Sequence, residues 1–423
     1  MAEFIFPYEL PENWQWETLG NVCSFIGGGT PNKKISKYWN GNIFWASVKD
    51  IKGDYLFNTI DRITEAGLKN SSANLCEVGD VILVTRISPA TSIIAKIATA
   101  INQDLKIVKT SLQPQFLHYF FENFKNDLES MASGSTVKGI TIEKLKKFPI
   151  PLPPLDEQKR IVAVIESLFE KLDAAKSIVQ KVLDGYELRR AAILHKAFTG
   201  DLTKNFRADS GLTLDDWQEK KLGEVAITRA GYAFKSKKFT DKGKYQVIRM
   251  GNLYKGKLDL SKIPVYYPES ELNEQILQRA LVYSDDILIT LTGTKYKRDY
   301  GYAVQIVKPE NLLFNQRILC LTPKKIFSTY LLYYLQSNFF RNIFFSAETG
   351  GVNQGNVSSK FVENIFIKIP SLVEQKEIVR VLAGLLEKEQ RTKEIAEKIL
   401  SEIDVMKRTI LARAFRGELG TKY

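Results

Sequence analysis

At 423 residues the chain is too long for one ordinary core and implies two or more domains. Hydrophobic residues at 44% and aromatics at 11% are enough to fill real cores, which excludes a disordered chain. A formal net charge of +12 predicts attraction to a polyanion, either nucleic acid or an anionic membrane, without choosing between them.

The stretch Met1-Ala2-Glu3-Phe4-Ile5-Phe6-Pro7 is acidic and interrupted by proline, so it does not read as a signal peptide. No apolar run approaches the ~20 residues that span a bilayer. The nearest, 92–101, is broken by Lys96. Cys23, Cys76 and Cys320 lie far apart, form no C-x-x-C pair, and read as buried thiols in a reducing compartment. The expectation is a soluble, cytoplasmic protein with no membrane partner.

In chain order the first elements are Trp14-Gln15 and Leu19-Gly20-Asn21-Val22, followed by Gly27-Gly28-Gly29-Thr30-Pro31. That glycine run lacks the Gly-Lys-Ser/Thr ending of a phosphate-binding loop and predicts a tight surface turn. A β-rich run spans 79–86, Asn102-Gln103 follows, and an aromatic helix is expected near 116–124. Prolines 151, 153 and 154 hold the chain extended before a long helix. There Ile161, Ile165, Leu168, Leu172, Ala175, Val179, Val182 and Tyr186 alternate by four and three, the seam of a coiled coil. Gly200 stands where a C-terminal stop belongs.

The chain then repeats itself. Trp217-Gln218 and Leu222-Gly223-Glu224-Val225 return the opening, 286–292 and 302–307 are β-rich, and Asn315-Gln316 echoes Asn102-Gln103. A second aromatic helix is expected at 330–340. Glu157-Gln158-Lys159 recurs as Glu374-Gln375-Lys376, and Ala197-Phe198 as Ala414-Phe415, both shifted by 217 positions. The opening is shifted by 203 instead. Loops of a globular domain tolerate such length changes, whereas a helix packed along its length cannot slip. The second seam is Ile378, Leu382, Leu385, Glu389, Thr392, Ala396, Ile399 and Ile403; its polar residues are candidates for fixing register and partner choice. Ser371-x-x-Glu374 reads as a capping box, and Gly417 as the stop. Forty-odd residues at 1.5 Å each give a rod of about 60 Å. The expected fold is therefore α+β: two globular domains, each followed by a long helix, with the helices packed as an antiparallel coiled coil in a pseudo-twofold internal repeat. Expected boundaries are 1–155, 156–200, 201–370 and 371–423.

Catalytic and metal signals are poor. His118 and His195 have no counterparts in the second copy, where Leu332 and Ala412 stand, and read as structural. Glu157-x-Lys159 and Glu374-x-Lys376 copy a nuclease spacing but lie in the first turn of the long helices, where glutamate favours the helix dipole. No Asn-Pro-Pro-aromatic or Asp-Pro-Pro-aromatic string of an amino-methyltransferase occurs.

Polar and basic loops carry more. The first unit offers Lys33, Lys34 and Lys37 within 30–37, Lys49, Arg86, Ser88 and Thr91 within 86–91, and Lys138 within 133–138. The second offers Lys235 and Lys237 within 231–238, Arg249 and Asn252, Thr292, Thr294, Lys295, Tyr296, Lys297 and Arg298, then Arg317, Asn353 and Gln354. Lysine and arginine neutralise phosphates, and Arg, Asn and Gln make paired bonds to guanine or adenine edges. Any one of these residues also fits a merely solvated loop; their recurrence at comparable points of both units favours DNA contact.

The run Pro151-Leu152-Pro153-Pro154-Leu155-Asp156-Glu157-Gln158-Lys159-Arg160-Ile161-Val162 resembles the start of the central helix of type I restriction–modification specificity (S) subunits. Leu188-Arg189-Arg190-Ala191-Ala192-Ile193-Leu194-His195-Lys196-Ala197-Phe198-Thr199-Gly200-Asp201-Leu202 resembles its end. Gly28-Gly29-Thr30-Pro31 with Tyr38-Trp39 and Gly41-Asn42-Ile43-Phe44-Trp45 is similar to openings of that family's target-recognition domains, as is Phe234-Lys235-Ser236 leading to Val247-Ile248-Arg249-Met250-Gly251-Asn252. Ile87-Ser88-Pro89 departs from the glycine-containing turn more usual after Arg86. The resemblance implies a non-catalytic subunit that reads a bipartite double-stranded DNA target. It implies two modification subunits and restriction/translocase subunits as partners. S-adenosylmethionine, ATP and magnesium then belong on those partners, and no cofactor on this chain. The competing classes are a self-sufficient DNA-modifying or cleaving enzyme, and a coiled-coil adaptor without DNA contact.

Overall fold

The computed structural model describes residues 8–134, 138–351 and 353–419. The N-terminal stretch read against a signal peptide lies outside the described residues, as do positions 135–137 of the 133–138 loop. The chain divides into two compact units, Met1–Gln180 with Glu397–Tyr423, and Lys181–Ala396. Each unit holds one mixed α/β lobe and the parts of both long helices that pack on it.

The first lobe is built on a five-stranded sheet in the order Cys23–Gly27, Leu105–Thr110, Val81–Val84, Ser92–Ala95, Tyr55–Leu56. Val81–Val84 and Ser92–Ala95 are buried throughout, which is why they read as continuous apolar runs rather than alternating ones. A second sheet orders Asp61–Ile63, Trp39–Ala46, Thr99–Ile101 and Leu75–Cys76. The second lobe repeats the main sheet as Ala226–Ala230, Ile318–Pro323, Ile287–Thr290, Ala303–Gln305. The expected strands at 79–86, 286–292 and 302–307 thus shorten to these cores. The aromatic helices are Pro114–Asn123 and Ser328–Gln336; the second ends early because Ser337 caps a new helix, Asn338–Ser346.

The repeated Glu-Gln pair explains how each lobe is tied to a long helix. Gln158 Oε1 accepts from the Gln113 N–H at 3.0 Å while its Nε2 donates to the Pro153 carbonyl at 3.0 Å. Gln375 does the same with the Phe327 N–H at 2.8 Å and the Pro370 carbonyl at 2.9 Å. Each glutamine therefore satisfies an otherwise orphaned donor at the start of the lobe's aromatic helix.

Glu157 and Glu374 stand in the first turn of the long helices as expected, and they are buried, at 4% and 1% exposure. Asn13 Nδ2 donates to Glu157 at 2.9 Å. The Glu374 carboxylate accepts from Arg207 Nη1 at 2.6 Å, Thr203 Oγ1 at 2.8 Å and Trp217 Nε1 at 3.0 Å. Only half of the expected capping box forms: Ser371 Oγ accepts from the Glu374 N–H at 3.3 Å, while the Glu374 side chain is drawn into the lobe.

The helix expected at 156–200 is divided into Leu155–Asp184 and Tyr186–Phe198, whereas Leu372–Phe415 is continuous. The division falls at Gly185, and Arg189 covers it: its Nη2 donates to the Val182 carbonyl at 2.9 Å and its Nε pairs with Glu389 at 2.8 Å. The polar seam position at Glu389 is thus a specific cross-helix contact. Within this unit Tyr186 Oη also donates to Gln390 at 2.9 Å. Within the first unit Lys176 meets Asp404 at 2.9 Å and Lys407 meets Asp173 at 2.6 Å. In both units rising numbers on one helix meet falling numbers on the other, so the helices pack antiparallel.

Of the expected seam, Ile161, Ile165, Ile378, Leu382, Ala396 and Ile403 are buried, and Leu168, Leu172, Val179, Val182 and Leu385 are half-buried. Ile399 is 36% exposed and lies at the edge of the seam rather than in it. Both helix stops hold: Gly200 and Gly417 adopt left-handed φ of 85° and 72°.

Candidate nucleic-acid interface

The glycine run does not form the expected tight turn. Gly28 is needed because a Cβ there would lie 2.3 Å from the Ile101 carbonyl oxygen and 2.2 Å from that of Asn102. Gly231, its counterpart, would meet the Asn315 carbonyl oxygen at 2.1 Å. In each lobe a backbone crossing at the end of the main sheet brings the loop after the first strand onto the residues that enter its neighbour, Leu105–Thr110 or Ile318–Pro323.

In the first unit this crossing assembles a row of polar groups. Thr30 Oγ1 donates to Gln103 Oε1 at 2.5 Å, and Gln103 Nε2 and Asn102 Nδ2 each donate to Asp104 Oδ2 at 3.3 Å. Asp104 Oδ1 holds Arg86 Nη1 at 3.2 Å, with the arginine side chain 53% exposed and the aspartate 14%. Lys138 joins through its carbonyl, which accepts from the Ile87 N–H at 2.9 Å, and Ser88 and Thr91 close the same loop. Ile87 has a left-handed φ of 78° and is 58% exposed, so the loop that lacks the usual glycine is made at the expense of backbone strain. Lys33, Lys34, Lys37 and Lys49 are exposed on segments flanking the strand Trp39–Ala46. Among the described residues no ion pair ties them to the Arg86 row.

In the second unit Met250, Tyr254, Lys262, Thr292, Thr294, Arg317, Asn353 and Gln354 line a hollow of about 380 Å³. Thr292 is 7% exposed and its hydroxyl donates to the Met250 sulfur at 3.4 Å, while Arg317 is exposed with Nη1 3.8 Å from the same sulfur. The 294–298 loop folds over Lys295, whose Nζ donates to the Gly350 carbonyl at 2.8 Å. Tyr296 is 80% exposed at its tip, beside exposed Lys297. Arg298 is turned back, donating to Asn342 at 3.3 Å with its guanidinium over the Phe345 ring. Lys235 and Lys237 are exposed around the short turn Ser236–Lys238.

Asn252 is built into the scaffold. It is 4% exposed, accepts from the Arg249 N–H, and donates to the Asp259 and Lys262 carbonyls at 2.8 and 2.9 Å. Arg249 itself donates to the Ile263 carbonyl at 2.7 Å. Asn252 therefore shapes the rim of the hollow instead of offering its amide to a ligand.

The histidines are occupied structurally. His118 is 2% exposed between Ser92 Oγ, 2.9 Å from Nδ1, and Asp54, 3.5 Å from Nε2; His195 stacks on Phe339. Burial pushes the Cys23 and Cys76 thiols up to about 11 and Cys320 up to about 12, so all three are neutral near pH 7. Among the described residues no group of three or more His, Cys, Asp or Glu side chains is placed to hold a metal, and no helix is long and apolar enough to cross a membrane.

The family model for the type I restriction modification DNA specificity domain matches this chain twice, over residues 11–183 and 214–401. The chain belongs to that family. Each match covers one lobe and the first part of the long helix that follows it, so the two matches follow the internal repeat. The chain is 24% identical to the EcoBI specificity subunit of Escherichia coli over 75% of its own length and 68% of that subunit. It is 23% identical to the EcoKI specificity subunit of Escherichia coli (strain K12), over 98% of this chain and 91% of that one. Its fold is similar to that of the HsdS subunit from Thermoanaerobacter tengcongensis, which superposes with a TM-score of 0.66 at 21% identity, covering 98% of this chain and 99% of that one. Three residues that residue type did not single out, Gln103, Asp104 and Met250, contact the candidate residues of this specificity-family protein. The available signal was the Asn-Gln echo, Asn102-Gln103 and Asn315-Gln316, which marks the entry to the strands Leu105–Thr110 and Ile318–Pro323.

Proposed function

We propose that this chain is the DNA-reading, non-catalytic subunit of a cytoplasmic type I restriction–modification complex, each lobe reading one half of a bipartite target. The observation that carries the reading is the pair of polar surfaces at equivalent ends of the two main sheets. They have the same frame, set by Gly28 and Gly231, but different side chains: Arg86 with Asp104 in one, Arg317 over Met250 and Thr292 in the other. Two unlike surfaces on a duplicated frame suit two unlike half-sites. On this reading the segments 1–155 and 201–370 are the target-recognition domains, and 156–200 and 371–423 are spacers that set the unread gap. Two modification subunits dock on this scaffold, carrying S-adenosylmethionine, and restriction/translocase subunits, using ATP and magnesium, complete the complex.

Phosphate contacts come from the exposed lysines 33, 34, 37, 49, 138, 235, 237 and 297 and from half-buried Lys295, with Tyr296 at a loop tip. Base contacts come from Arg86, Ser88 and Thr91 in one lobe and Thr294, Arg317, Asn353 and Gln354 in the other. Lysine substitutions should weaken binding to all sequences alike and flatten its salt dependence, whereas base-contacting substitutions should change the sequence recognised. The test is retention of duplex DNA by the complex with its modification subunit across a salt series, beside turnover assays on the purified chain alone. Salt-independent retention, or cleavage or methylation by the chain alone, would reject the reading.

A further inference from the structure

The two lobes carry an arginine at the same place in the fold but on opposite strands. The second strand of the main sheet, in sheet order, begins at Leu105 in one lobe and at Ile318 in the other, and the third ends at Val84 and Thr290. The pairing just beyond is the same: the Thr85 N–H donates to the Asp104 carbonyl at 2.9 Å, and the Leu291 N–H to the Arg317 carbonyl at 2.9 Å. Asp104 and Arg317 are therefore equivalent positions. One residue beyond Thr85 and Leu291 stand Arg86 and Thr292, also equivalent. The first lobe has Arg just after the strand Val81–Val84 and Asp just before Leu105–Thr110; the second has Thr just after Ile287–Thr290 and Arg just before Ile318–Pro323.

The consequence for the guanidinium differs between the lobes. Arg86 is gripped through Nη1 by Asp104, whose second oxygen is itself fixed by Asn102 and Gln103. The Nη2 and Nε edge of Arg86 is left with two parallel donors and no partner among the described residues. Arg317 has no carboxylate partner among the described residues; its Nη1 rests near the soft Met250 sulfur, at the rim of the 380 Å³ hollow. A planar fork with two parallel donors, exposed and aimed by its neighbours, matches the O6 and N7 acceptors of guanine, a pattern that no other base offers in the major groove.

We propose that each lobe reads one guanine of its half-site with a single arginine, Arg317 in the second lobe and Arg86 in the first, and that Asp104 is a positioning residue that orients Arg86. This rests on the DNA-reading function proposed above and adds the base and the residue. It also separates Asp104 from an ordinary surface acid. A carboxylate at a DNA interface repels phosphate, so removing its charge should raise affinity for DNA of any sequence. If its task is to orient Arg86, the same change should lower discrimination at one base pair.

The experiment is methylation mapping of DNA treated with the complex of this chain and its modification subunit, comparing wild type with Arg317→Ala, Arg317→Lys, Arg86→Ala and Asp104→Asn. Both arginines are exposed, so the variants test recognition and not folding. The wild-type motif is expected to hold a guanine in each half-site. Arg317→Ala and Arg317→Lys should each make the guanine of one half-site degenerate, with discrimination falling roughly 10- to 100-fold. Lysine should retain more overall binding than alanine, because it keeps the charge but not the fork. Arg86→Ala and Asp104→Asn should do the same at the other half-site, and Asp104→Asn should bind non-specific duplex as tightly as wild type or tighter. A half-site without guanine, or an unaltered motif in the Arg317 variants, overturns the guanine assignment while leaving the DNA-reading function intact. Equal loss of specific and non-specific binding in Asp104→Asn overturns the positioning role. A wild-type complex that methylates no bipartite motif overturns the underlying function itself.

Discussion

Replacing Glu374 by alanine should unfold the second unit selectively, and the size of the effect follows from its surroundings. The Glu374 and Arg207 side chains are 2% and 7% exposed, and the carboxylate accepts from Arg207, Thr203 and Trp217. Removing one member of a buried pair leaves the other charge desolvated and typically costs about 3–5 kcal/mol. Here the stranded group is the Arg207 guanidinium, which keeps the Gly200 carbonyl at 2.5 Å and the Thr203 hydroxyl at 2.9 Å but no countercharge in the cluster. Replacing both Glu374 and Arg207 by methionine leaves no buried charge and should recover most of the loss. Urea unfolding with hydrogen exchange resolved by peptide would localise the effect to 200–217 and 372–382, with peptides of the first lobe unchanged. A loss under ~1 kcal/mol in the single variant, or equal losses in single and double variants, would refute the reasoning that the pair seats the helix start on the lobe.

Other outcomes follow from particular contacts. Gly28→Ala should disrupt the backbone crossing against the Ile101 and Asn102 carbonyls and abolish recognition of one half-site, and Gly231→Ala that of the other, as methylation mapping would show. Inserting four residues near Ala175 should change the tolerated gap, adding roughly 6 Å of helix, while both half-sites stay the same; an unchanged gap would contradict the spacer role. The Asp54 carboxyl is held below the usual carboxylate range, chiefly by its hydrogen bond with His118. A carboxyl with a depressed folded value stabilises above its unfolded value, and that contribution is lost as pH falls through the folded one. His118→Asn should therefore move the Asp54 titration upward in a carboxyl-resolved NMR experiment. An unmoved titration would remove His118 as the cause. Finally, the three cysteines should resist a thiol reagent at neutral pH until the chain unfolds, since burial keeps them protonated and covered.

The repeat was legible because two physical constraints write themselves into spacing. A helix packed along its length forbids insertions, so the stretch from Glu157 to Phe198 recurs at one offset from Glu374 to Phe415. The buried runs Val81–Val84 and Ile287–Thr290 announce central strands by composition alone. What stayed hidden depends on contacts distant in sequence. Glu374 reads as a helix-start acid until Arg207 and Trp217 arrive from the other side of the lobe. Ile399 fits the seam by spacing, yet the antiparallel partner leaves it a third exposed. Gly185 carries no signal distinguishing a tolerated helix glycine from a break, because the break is stabilised by Arg189 four residues on and by Glu389 on the other helix. Among the candidate DNA contacts, Arg86 and Arg317 are exposed, whereas Asn252 is buried with its amide consumed by backbone carbonyls of its own loop, which residue type alone does not reveal.

The most direct test of the whole account is a lobe exchange read by methylation mapping. Residues 1–155 of this chain would be replaced by the corresponding lobe of a relative with a different target, and the hybrid assembled with its modification subunit. The account requires that one half of the methylated motif change to the relative's half while the other half and the gap remain. A motif altered in both halves, or in neither, would contradict the claim that each lobe reads its own half-site.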